Sequence, residues 1–338
     1  MSYSSDKKHK LIFENWRRFV SEDADPKKMP DEDFPMKLSD VGAKYTKKQA
    51  TKIATGGKKD GKEGDDKIPA GEAVFSVKEL KPSQSSMNIH KAMTFAIGMI
   101  LKVGPFKQGP GGALNAIISK NGHIMDGHHR WIASGMVDPS SSIKGEHVMF
   151  PAKQLIAILN VLTLHFTGKS KGKKASGGFD QFTNEELMLK SMRHMAKTGT
   201  TLDGKAVWPA KGDPAIVVKA CEMFTGEKGQ AAVDSAARKM FQNASQLTLS
   251  LPSGFPTRPD MPMISAGEGH VKAAVQLLKI GAIDVNPTYA QGAQNPGNVY
   301  DKSDPDNPMV DPEAEKQAER ERKMRDLEEN RKRRRRKK

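Results

Sequence analysis

Directly after the apolar pair Ile124-Met125, and just before a second apolar run at Trp131-Ile132-Ala133, the chain places Asp126-Gly127-His128-His129-Arg130. A short apolar strand that meets a glycine and then runs into helix-forming residues reads as a strand turning into a helix N-terminus. Backbone N–H groups at such a turn point outward unpaired and favour an anion. A carboxylate, two imidazoles and a guanidinium gathered there give the turn chemistry as well as shape. Arg130 can grip phosphate oxygens with its planar fork, His128 or His129 can donate hydrogen bonds, and Gly127 lets the backbone come close. Asp126 can hold a magnesium ion or act as a base. The plainer use of these residues is a helix cap with solvated charges.

The flanking sequence extends this unit on both sides. Val74-Phe75-Ser76-Val77 reads as a strand, and Lys81-Pro82-Ser83-Gln84 as a turn whose serine starts a helix. Ile89, Met93, Phe95, Ala96, Ile97, Ile100 and Leu101 supply the apolar face of that helix, and the glycines at 104, 109, 111 and 112 end it in a flexible loop. Residues 116–119 and 123–125 form a β-hairpin around Lys120-Asn121-Gly122, whose Asn-Gly favours a type I′ turn. A helix beginning at His129 stops at Gly135. Residues 148–151 suit another strand and 152–166 a helix or strand behind it. Further on, helices are expected over 183–197, 214–225, 231–246 and 269–279, with a proline-rich extended stretch at 247–262.

This organisation predicts an amphipathic N-terminal helix within 1–22, a flexible linker over 23–67, an α/β domain over 68–166, a linker over 167–180, a helical extension over 181–290 and a charged, basic tail over 291–338. The first helix carries Leu11 or Ile12, Trp16, Phe19 and Val20 on one face, so it docks either on the chain's own core or on a partner protein. The formal net charge is +15, and the eight residues at 331–338 are all Lys or Arg, which leaves seven charges over the rest. Arg331, Arg333, Arg334, Arg335 and Arg336 make nucleic acid the natural partner, through counterion release rather than base reading. One cysteine, Cys221, precludes an internal disulfide and fits a reducing, cytoplasmic setting. The most apolar run, 155–166, is too short to span a bilayer, so no membrane association is expected. A metal cluster of Asp126, His123, His128 and His129 is a weaker option, because adjacent histidines point apart and neither CxxC nor HExxH occurs.

The stretch Ile124-Met125-Asp126-Gly127-His128-His129-Arg130-Trp131-Ile132-Ala133 resembles the second signature box of the ParB/sulfiredoxin superfamily, and Lys81-Pro82-Ser83-Gln84, about forty residues upstream, is similar to the first. The likeness covers roughly a quarter of the chain. It implies a ParB/sulfiredoxin-like small mixed sheet with helices, here followed by a helical C-terminal extension and flanked by disordered tails. It further implies that Gly127, His129 and Arg130 contact nucleotide phosphates, with Ser83, Gln84 and Lys91 as neighbours. The implied ligand is a nucleoside triphosphate, ATP or CTP, with Mg2+ on Asp126.

Departures from the family pattern narrow the activity. Sulfiredoxins carry a catalytic cysteine after the glycine; His128 stands there, and Cys221 is too distant to replace it. The partition ParB proteins have Glu then Arg at this place and a following helix-turn-helix, which is not evident beyond Pro151. The Asp-Gly-His-x-Arg wording of free-serine kinases is closer and would make Asp126 the catalytic carboxylate of a phosphotransferase. In the nucleotide-binding reading His128 is expected to act as a donor or proton shuttle. The whole arrangement, including Leu80-Lys81-Pro82-Ser83-Gln84 and the later Arg258-Pro259-Asp260-Met261-Pro262-Met263-Ile264, also resembles ParB-like proteins of large tailed phages, called nucleases by analogy. The resemblance thus implies a nucleotide- or phosphate-binding protein, with nuclease or NTPase action on DNA as the first activity to consider. A non-catalytic virion or DNA-packaging component, bound through the N-terminal helix, and a small-molecule phosphotransferase stay open. So does the question of whether the chain is an enzyme. For a phage protein the location would be the infected cytoplasm or the virion.

Overall fold

The computed structural model describes residues 34–58, 67–174, 177–250, 254–264 and 268–285. The expected N-terminal helix and the basic tail with Arg331, Arg333, Arg334, Arg335 and Arg336 lie outside the described residues. Five strands form one mixed sheet: β1 (Ala70–Ser76), β2 (Lys81–Pro82), β3 (Gly112–Ser119), β4 (His123–Asp126) and β5 (Ser142–Val148), in the order β1-β5-β3-β4-β2. β1 runs antiparallel to β5 and β3 antiparallel to β4, while β3/β5 and β2/β4 are parallel. The fold is α/β.

Alternation along the two central strands sends side chains to opposite faces, each of which finds its own cover. Ala116, Ile118 and Ile124 belong to one core, Ile117 and Met125 to the other. The first core is closed by α3 (Ile89–Ile100), α4 (His128–Val137), α6 (Glu185–Thr198), α7 (Pro214–Thr225) and α8 (Gly229–Ala244). The second is closed by α1 (Leu38–Lys44), α2 (Lys47–Gly56), α5 (Ala152–Thr167) and α9 (Glu268–Lys279). Trp131 is the anchor that its apolar setting suggests: it is fully buried and its indole N–H donates to the Val77 carbonyl at 2.8 Å. No described helix is long and apolar enough to cross a membrane.

Several expectations are corrected. The segment 23–67 is not a linker throughout, since it contains α1 and α2. Their apolar residues are few but correctly spaced: Leu38 and Val41 on one, Ala50, Ile53 and Ala54 on the other, all buried. Thr46 and Gln49 form a reciprocal capping box that starts α2. The 167–180 stretch does not separate two domains, because both cores combine residues from 68–166 with residues of the helical extension. The first box does not start a helix at Ser83; Lys81–Pro82 is a short strand on β4, and Asn88 caps α3 by accepting from the Lys91 N–H at 2.8 Å.

Gly135 does not end α4, which continues to Val137. The glycine instead gives Leu247 room, since a Cβ there would lie 2.5 Å from its Cδ1. The last strand is 142–148 rather than 148–151. The hairpin turn is not type I′, because neither Lys120 nor Asn121 has positive φ; Gly122 alone does, at 80°. Glycine is needed at that single place, where the chain leaves the turn bonded to the Ser119 carbonyl at 3.0 Å.

Candidate phosphate-binding site

The strand-to-helix turn is built as its residues suggest. Gly127 takes φ 101°, a conformation that a side chain would strain, and an added Cβ would stand 3.2 Å from that of Ala116. α4 starts on the next residue with no side chain capping its N-terminus. Its first amides are therefore available to a ligand anion. Across the turn, Arg130 Nη2 donates to Asp126 Oδ2 at 2.9 Å and to the Asn115 carbonyl at 3.4 Å. Asn115 reaches that position through a bulge in β3, between Ala113 and Ala116, where its φ is 49°.

The two imidazoles are struts rather than free groups. His128 is buried, and its Nε2 accepts from the Ser83 backbone N–H at 3.1 Å. The Ser83 hydroxyl donates to the Ile124 carbonyl at 2.6 Å, which leaves that ring nitrogen to the amide. Burial, followed by the nearby Arg258 charge, pushes the His128 pKa well below the usual imidazole range. A neutral ring with Nε2 accepting carries its proton on Nδ1, so a shuttle role has no spare lone pair here. His129 Nε2 accepts from the Asn88 N–H at 3.2 Å; burial, then the Lys91 charge, lowers its pKa to about 3. The box therefore ties α4 to the segment leading into α3 on both sides of the turn.

In front of these struts lies a cavity of about 400 Å³. Asp126, Gly127, His128, His129, Arg130, Gln84 and Lys91 line it; Ser83, fully buried, does not. The structure thus brings together residues of the two boxes, which are about forty positions apart in the chain. It adds two cations that no sequence motif assigns to the site, Lys173 and Arg258. Arg258 was visible in sequence only as part of an Arg-Pro-Asp motif, and Lys173 as one lysine of a polar stretch. Arg258 donates to Gln84 Oε1, which leaves Gln84 Nε2 buried with no hydrogen-bond partner among the described residues.

The electrostatics of the cavity are one-sided. Lys91, Arg130, Lys173 and Arg258 face a single lining carboxylate, Asp126. Burial, followed by the charges of Lys173, Arg258 and Arg130, lowers the Lys91 pKa, and burial lowers that of Arg258. Such mutual repulsion is relieved by an anion. An uncapped helix end and surplus positive charge both fit phosphate. The fit to a divalent ion is narrower: no group of three or more His, Cys, Asp or Glu side chains converges among the described residues, so Asp126 would be the one carboxylate ligand. No family model matches this chain, and no curated protein or solved structure matches it either.

Proposed function

We propose that this is a ParB-like phosphoryl-binding protein that holds the phosphates of a nucleotide against the N-terminus of α4. The observation that carries the reading is the set of four cationic side chains opposed by one carboxylate around the uncapped helix start. Arg130 and Arg258 hold phosphate oxygens as planar forks, Lys91 and Lys173 act as point charges, and the amides of the turn donate from behind. Asp126 would hold Mg2+, an ion that commonly completes its shell with phosphate and water. Action on DNA as a nuclease or NTPase is the activity proposed for this site, with the Arg331–Arg336 region attracting the nucleic acid backbone.

Titrating the full chain with ATP, CTP and GTP in the presence of Mg2+, with supercoiled DNA in parallel tubes, tests this directly. Arg130→Ala and Arg258→Ala are each expected to weaken nucleotide binding by about tenfold or more, since each removes a charge-assisted bond worth ~1.5–3 kcal/mol. Unchanged affinity in both variants, with the fold retained by circular dichroism, would refute phosphate binding here. Binding without turnover or nicking would favour the non-catalytic component among the readings.

A further inference from the structure

Besides its charged residues the same cavity is lined by Phe95, Pro105, Phe106 and Trp208. The three rings form one cluster, with centroids 5.3 Å apart for Phe95 and Phe106, 5.6 Å for Phe106 and Trp208, and 6.4 Å for Phe95 and Trp208. Trp208 nevertheless keeps 36% of its surface exposed, one of few large apolar side chains among the described residues to do so. Its indole is seated by design of the backbone behind it. A Cβ on Gly98 would come within 2.5 Å of the ring, and one on Gly104 within 2.6 Å. Both positions must stay bare for the indole to lie where it does.

The loop that presents Trp208 is held on the site rather than left on the surface. Val207, fully buried, donates its N–H to the Gly199 carbonyl at 2.8 Å. Asp203 of the same loop accepts from Asn88 Nδ2 at 3.5 Å and from Thr201 Oγ1 at 2.5 Å. Asn88 is also the residue whose N–H binds His129. Lys91 joins the charged and aromatic parts of the lining, since its Nζ sits 5.3 Å from the centre of the Phe95 ring. A fixed, half-exposed indole in a cavity that is also lined by four cations is an arrangement on which a planar, electron-rich heterocycle stacks.

We infer that the Trp208 face is a nucleobase subsite, so that the cavity takes a whole mononucleotide with its base on the Phe95–Phe106–Trp208 cluster and its phosphates at the start of α4. This rests on the phosphoryl-binding reading above and goes beyond it by assigning the organic half of the ligand. A cavity of about 400 Å³ lies within the ~300–1,000 Å³ range of small-molecule sites and suits one nucleotide. Stacking of this kind tolerates any base, so affinity is expected to depend on the presence of a base more than on its identity.

The test compares ATP and CTP with methyl triphosphate, which carries the phosphate chain without a base, on the full chain by calorimetry and tryptophan fluorescence. Wild type is expected to bind either nucleotide about tenfold or more tightly than methyl triphosphate, a ratio typical of one stacked base, and to show a fluorescence change with the nucleotides alone. In Trp208→Ala the ratio should fall to about one. Trp208→Phe should keep most of the ratio while losing the fluorescence change, which separates stacking from general damage to the fold. Equal affinity for the three ligands in wild type, or a ratio unaltered in Trp208→Ala, would overturn the base subsite and leave phosphoryl binding standing. Failure of methyl triphosphate and both nucleotides to bind at all would overturn both.

Discussion

At the scale of single residues, the site is defined by groups kept neutral as much as by groups kept charged. His129 is the clearest case, because burial and the Lys91 charge hold its pKa near 3, against an ordinary value of 6.5. In the unfolded chain the ring takes up its proton near 6.5, so between that value and about 3 the unfolded state binds more protons. Stability from this residue is therefore complete above pH 6.5 and is lost progressively as the pH falls toward 3. His128 adds a slope of the same sign. Denaturant midpoints measured from pH 7 down to pH 4 should thus show a decline that His129→Gln reduces, by up to about 1.4 kcal/mol per pH unit for one proton. An equal slope in the variant would mean that His129 is not held neutral by the fold. The identity of these histidines was legible in sequence; their role as struts was not, since it depends on Ser83 and Asn88 amides more than forty residues away.

Among the elements, those with strong periodicity or clear punctuation were readable in advance: the strand-turn-helix at β4 and α4, the hairpin, α3, and the helices α6 to α9. What escaped was short or atypical. α1 and α2 hide within a polar average, and β2 is only two residues of a parallel pair that no local pattern encodes. The segment carrying Arg258 reads in sequence as proline-rich and extended; at Arg258–Asp260 it is instead a single 3-10 turn, and its attachment to the site has no local sequence signal. That attachment runs through α5: the Asn160 amide, buried in the helix, donates to the Asp260 carbonyl at 2.9 Å and to the Met36 carbonyl at 2.7 Å. Asp260 in turn accepts from the Ser39 N–H at 3.2 Å, so the start of α1 and the Arg258 segment are pinned at one point. Asn160→Ala leaves two carbonyls without this donor and should lower stability by about 1–3 kcal/mol. Because Arg258 stands two positions from Asp260, nucleotide affinity should fall as well; urea unfolding together with the titration separates the two effects. A loss of stability at constant affinity would show that Arg258 is positioned by other contacts.

For the molecule as a whole, the decisive feature is that the sheet has no face of its own to spare. The side occupied by Ala116, Ile118 and Ile124 is covered by α3 and α4, and the same core continues into Phe182, Met188, Met192, Met195, Val217, Val233 and Met240. Seven such side chains at ~1.5–3 kcal/mol each contribute on the order of 10 kcal/mol, as much as the net stability of many domains. The 68–166 segment, which by sequence looked like a domain in itself, is therefore not expected to fold alone. Nor would it carry the complete site, since Lys173, Trp208 and Arg258 lie beyond it. A fragment spanning 68–166 contains Trp131 as its one tryptophan, so the near-ultraviolet circular dichroism of that buried indole reports tertiary packing without interference. The full chain should show a fixed indole signal that is lost in a cooperative urea transition. The fragment should show neither the signal nor the transition, and should bind nucleotide at least tenfold more weakly; a fragment that unfolds cooperatively and binds like the full chain would make the helical extension an addition to the fold rather than half of its core.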